Sequence, residues 1–230
     1  MAFGKRRTAE EAAVPAVAWA NVHKFTISSM EKPTTPKRNR AVRGQRAVRV
    51  PRGGGNYRVY APCAYLAPAS RPAPPGSTGP RLYEDPEAQN LLCYLELSGE
   101  DNNEKRYSVR DGQGELIGAV RRIASSRRFL KHTWRIDQPG HPEIVGRNQW
   151  AAGSTKELAE LAATKVVLTT FQIIADMGAE GGDQPPKPRT LEWKSDGKLV
   201  MTSEGSQLVT IKADWLDRRL AFAFALIGDA

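Results

Sequence analysis

Five cations crowd one short stretch of this chain: Arg121, Arg122, Arg127, Arg128 and Lys131, set around the pair Ser125-Ser126. Guanidinium groups fork onto phosphate oxygens two at a time and serine hydroxyls add donors, so the stretch reads as an anion-binding hairpin. The competing reading is a solvated turn whose cations pair with acids elsewhere. A second run, Lys37, Arg38, Arg40, Arg43, Arg46, Arg49 and Arg52, has few large apolar residues between its charges. Of 34 Lys and Arg and 25 Asp and Glu, residues 1–58 hold 13 and 3, which leaves 21 and 22 for the rest. The excess charge therefore sits in an N-terminal arm, either a handle for a polyanion or a solubilising tail.

Other chemistries find little purchase. His23, His132 and His141 stand alone, with no ligand-spaced cysteine or carboxylate, so no metal site or cofactor is expected. Asp111, Asp137, Asp196 and Asp214 fall where turns and caps employ carboxylates. Gly112, Gly114 and Gly118 have the wrong spacing for a dinucleotide loop, and a strand rather than a helix follows them. Cys63 and Cys93 have no cationic neighbour in sequence to make a thiolate, and two free cysteines suit a reducing interior. A binding protein is expected rather than an enzyme.

The elements that position these groups follow a repeat. Tyr107 to Asp111 leads through Gly112 and Gly114 to Leu116-Ile117-Gly118; Trp134 to Asp137 leads through Gly140 to Ile144-Val145-Gly146; Trp193 to Asp196 leads through Gly197 to Leu199-Val200-Met201. Each is an aromatic-led strand, an Asp, a Gly turn and a second apolar strand, the signature of a hairpin. Gln89 to Leu97 is a further strand. Ser154 and Glu157 make a capping box for an amphipathic helix over 154–177. Asp214 can cap a segment from Trp215 to Ile227 that turns apolar all round and belongs inside something, as a helix or, by the alternation of Phe222, Phe224 and Leu226, as a strand.

Residues 1–80 read as a largely flexible, Pro- and Gly-rich arm and linker. Trp19 and Phe25 offer docking points, and Asn56 to Leu66 forms at most an edge strand because of Pro62. The domain is drawn from 81 to 230. The fold class is α+β, mainly β: a curved antiparallel sheet or closed barrel of hairpins around a buried C-terminal helix, with one extra amphipathic helix.

The hairpins from Tyr107 to Val120, Trp134 to Gly146 and Trp193 to Val200, with the terminal segment Asp214 to Ile227, resemble the LURP-one-related branch of the tubby-like superfamily over residues 90–230. That resemblance implies a closed barrel around a C-terminal helix, as in tubby proteins and phospholipid scramblases. It also implies action at anionic lipids or membranes rather than metabolic catalysis. The scramblases' acidic calcium loop and membrane-spanning tail have no counterpart here, so lipid flipping is not expected.

The chain has 230 residues, a net charge of +9, a pI near 9.7 and a mean hydropathy of −0.50, and its longest apolar stretch, Leu220 to Ile227, is too short to span a bilayer. Lys5, Arg6 and Arg7 are followed by Glu10 and Glu11 rather than an apolar run, so no secretory signal is expected and the protein is placed in the cytoplasm, peripheral at the membrane. The partner expected first is an anionic membrane surface or a phosphorylated ligand. The alternatives are nucleic acid held by residues 1–58 and a protein partner. Between Lys32 and Pro51 the arm lacks aromatic residues, which argues against reading of single strands by stacking.

Overall fold

In a computed structural model, which describes residues 13–67, 77, 79–101, 103–124, 133–148 and 190–228, twelve antiparallel strands close into one barrel. They are β1 (Lys24–Lys32), β2 (Val42–Arg52), β3 (Val59–Leu66), β4 (Arg81–Tyr83), β5 (Leu91–Glu100), β6 (Glu104–Asp111), β7 (Leu116–Ile123), β8 (Thr133–Asp137), β9 (Ile144–Asn148), β10 (Thr190–Ser195), β11 (Lys198–Glu204) and β12 (Leu208–Ile211). Every strand pairs with its neighbours in sequence, and Lys24 opposite Thr210 closes β1 onto β12. The described helix longer than one turn is α1 (Arg218–Ile227).

The hairpins form where the turn chemistry dictates. Asp111 accepts the amides of Gln113 and Glu115 at 3.0 and 2.9 Å, and Gly114 takes φ +88° between them. Asp196 and Gly197 both sit at positive φ, 48° and 76°, as a two-residue turn matched to right-handed strand twist requires. The helix expected over 154–177 lies outside the described residues.

The interior of the barrel is filled by α1. Phe222 packs edge-on to Phe25 of β1 at 4.8 Å, and Phe224 sits against Trp134 at 5.3 Å and Trp193 at 4.5 Å, all buried. Gly146 lies opposite both tryptophans in the ladder, and a Cβ there would come 2.8 Å from the Trp193 ring, so its lack of a side chain makes room for that indole. Trp193 Nε1 donates to Ser203 Oγ at 3.1 Å. The entry of the helix is pinned from outside: Gln138 donates to Trp215 O and accepts from Asp217 N, both at 2.9 Å. The cap is Asp217, whose carboxylate accepts Arg219 N at 2.9 Å, and not Asp214, which leaves residues 214–217 as a turn before the helix.

Two expectations for the N-terminal third are corrected. Residues 24–66 are not a flexible arm but three consecutive strands of the wall, so the boundary at residue 80 falls inside the barrel. Their inward positions, Phe25, Val48, Cys63 and Ala64, are buried in the common core, and this apolar face orders strands whose outer face is charged. Nor is β3 an edge strand, because it pairs with both β2 and β4. Pro62 is accommodated where the β2–β3 register shifts next to Arg49, a bulge at which a missing N–H costs no ladder bond. Most of the expected linker lies outside the described residues.

Candidate polyanion-binding face

From Lys24 to Leu66 the sequence carries ten Lys and Arg and one acid, Glu31. In the barrel that imbalance becomes one side of the wall, formed by β1, β2, β3 and the two turns that join them. The strand pairing is irregular around Ser28, Met30 and Lys32, where the β1–β2 ladder slips. The turn between β1 and β2 closes on itself through paired Thr35–Arg38 backbone bonds of 2.9 Å. Lys37 in this turn lies 5.6 Å from the ring centroid of Tyr57, which belongs to the β2–β3 connection. Those connections join opposite ends of β2, so the β1–β2 hairpin folds back over the outer face of the wall.

That fold-back buries one of the expected surface cations. Arg49 is 0% exposed. Its Nε donates to Ser28 O at 2.9 Å and its Nη1 to Tyr60 O at 3.1 Å, while Nη2 reaches Gln45 O at 2.7 Å and Glu31 Oε1 at 3.2 Å. Glu31 reaches it across Gly44, where a Cβ would collide with the carboxylate. Arg49 is therefore a strut that ties three strands together, not part of a solvated arm. Arg38 also turns inward, with Nη1 3.2 Å from Pro33 O. Lys37, Arg40, Arg43, Arg46 and Arg52, joined by Lys24 and Arg58, stay exposed. Among the described residues none of the seven pairs with a carboxylate; Arg43 donates to Ser29 Oγ at 3.3 Å.

At the lower edge of this face stands Tyr57, 73% exposed. Its turn is built by glycines: Gly53 and Gly55 adopt φ +67° and +52°, and a Cβ on Gly53 would meet Tyr57 O at 2.8 Å.

The hairpin singled out from sequence behaves differently. Arg121 donates to Asp137 at 2.7 and 3.1 Å, lies 3.5 Å from Glu104 and contacts Glu143, which also binds Arg135 at 2.9 Å. Burial works against the Arg121 charge, but the Asp137 hydrogen bond and the surrounding carboxylates outweigh it and hold its pKa above the ordinary value. Two arginines and three carboxylates make this patch self-neutralising, so the solvated-turn reading fits Arg121 and the phosphate reading does not. Arg122 is exposed, with its guanidinium 5.8 Å over the Trp134 ring. Arg127, Arg128 and Lys131 lie outside the described residues.

No family model matches the chain, and no curated protein or solved structure is found similar to it. Function is read from the side chains themselves.

A concavity of about 270 Å³ opens near the helix entry between Asp111, Glu115, Gln138, Asp217 and Arg219. Three of its four charges are already employed: Asp111 holds its turn, and Arg219 pairs with Asp217 at 2.7 Å and stacks over Trp19 at 5.3 Å. Cys63 and Cys93 are buried in the core, where loss of solvation pushes both thiols up to about 12. Among the described residues no group of three His, Cys, Asp or Glu is placed to hold a metal ion, and no helix is long and apolar enough to cross a membrane.

Sequence reasoning missed two features of this geometry. The neutralisation of Arg121 depends on cross-strand register, which brings together residues 16 to 22 positions apart. Tyr57 carried a signal, an aromatic residue behind three glycines, but its place beside Lys37 depends on the fold-back.

Proposed function

We propose that the protein is a non-enzymatic binding module that holds a phosphate-bearing partner, an anionic membrane surface or another phosphorylated ligand, on the basic side formed by β1, β2, β3 and the turns that join them. One observation carries this reading: seven exposed cations on a folded wall whose one acid, Glu31, is spent on Arg49. Lys24, Arg43, Arg46 and Arg52 stand on strands, which fix their backbone before an anion arrives, and Lys37, Arg40 and Arg58 stand on the joining turns. Arginine predominates among the seven, which suits phosphate oxygens.

Long-chain polyphosphate, which offers phosphates without bases or acyl chains, tests the reading. The full chain should bind it with an affinity that falls steeply between about 50 and 200 mM salt, and the Arg43→Glu/Arg46→Glu double variant should lose that binding. Binding indifferent to salt, or retained in full by the double variant, removes the proposal.

A further inference from the structure

We infer that the partner of this face is a single-stranded nucleic acid, with Tyr57 as the platform on which a base stacks. The inference rests on the phosphate-binding reading above and names its partner. Tyr57 is 73% exposed, stands on a glycine turn closed by the hydrogen bond from Tyr57 N to Gly54 O at 3.1 Å, and has the Lys37 ammonium 5.6 Å from its ring centroid. Arg52 and Arg58, both exposed, flank the same turn. Forked cations around an open aromatic ring match the two parts of a nucleotide, phosphate and base.

The other partners fit less well. A bilayer contact gains from apolar side chains that insert, yet the other large exposed apolar residues among those described, Leu97, Leu116 and Leu199, lie on β5, β7 and β11, away from the cations. A duplex hides its base faces inside the stack, whereas a single strand presents them to an aromatic ring.

The test measures fluorescence anisotropy of a labelled oligothymidine of about 20 nucleotides with the full chain, beside polyphosphate and phosphatidylserine vesicles. Tyr57→Ala should weaken oligothymidine binding by about 5- to 100-fold, leave polyphosphate binding unchanged and be rescued by Tyr57→Phe. If all seven exposed cations engage, the salt slope for oligothymidine approaches about −5. Equal loss for both probes, or no loss for either, overturns the stacking role of Tyr57. Binding of polyphosphate or vesicles without oligothymidine overturns the inference but leaves the phosphate-binding reading standing. Failure to bind any of the three overturns both.

Discussion

Arg49 and Glu31 form an ion pair of 3.2 Å inside the barrel wall, with the guanidinium fully buried and its other donors on the backbone of Ser28, Gln45 and Tyr60. A charge so enclosed is stable only while every donor is matched. Arg49→Ala should therefore cost about 3–5 kcal/mol by leaving Glu31 and three carbonyls unmatched, whereas Arg46→Ala, three residues away and exposed, should stay within about 0.5 kcal/mol. Urea unfolding of both variants checks this; similar costs would mean that Arg49 is a surface charge.

Gly146 makes room for the Trp193 indole, which in turn braces Phe224 at the centre of the barrel. Gly146→Ala pushes a methyl group into that ring and should destabilise by about 1–3 kcal/mol, the usual cost of overpacking. Gly54→Ala, at an extended φ of −140° with open space around it, should be close to neutral. The two melting temperatures decide the matter, and equal shifts would disprove the packing argument.

Stability should fall as the solution becomes alkaline. Both thiols have pKa values raised by burial from 9.0 to about 12. The folded state thus keeps protons that the unfolded state releases, so this contribution is complete below pH 9 and is lost as pH climbs from 9 towards 12. Melting temperature measured from pH 8 to 10.5 should decline, and less so in a Cys63→Ala/Cys93→Ala variant when each is compared with its own value at pH 8. A thiol reagent should label neither cysteine before unfolding; prompt labelling at neutral pH would contradict their burial.

Arg121 should behave as a structural residue. Arg121→Ala removes the partner of Asp137, Glu104 and Glu143 and leaves their charges to repel, at a cost of about 1–3 kcal/mol. Affinity for polyphosphate should not change. A selective loss of binding with stability intact would restore Arg121 to a ligand site.

Where a rule of local chemistry governs, the sequence already spoke clearly. Asp111 with Gly114, and Asp196 with Gly197, mark hairpin turns because carboxylate capping and positive φ are short-range demands. The all-apolar run from Leu220 to Phe224 marks a helix that needs an enclosure. The start of that helix was misplaced by one turn, since Asp214 and Asp217 are both competent caps and only Gln138, about eighty residues away, selects between them. The first three strands were illegible for a different reason: their outer faces are so rich in charge that composition resembles disorder, while Phe25, Val48 and Cys63 do the anchoring. The candidate site was legible as an excess of charge but not as a surface, because which cations are spent internally is decided by neighbours that only the folded wall supplies.

The seam between β1 and β12 joins residues more than 180 positions apart. During synthesis β1 waits with one flank bare until β12 has emerged, and the helix that plugs the centre follows β12. Closure is thus a late, long-range event, which favours slow assembly and exposes the unfinished sheet to association with other chains. Cells that make this protein in quantity would need to shelter that flank until the seam is sealed.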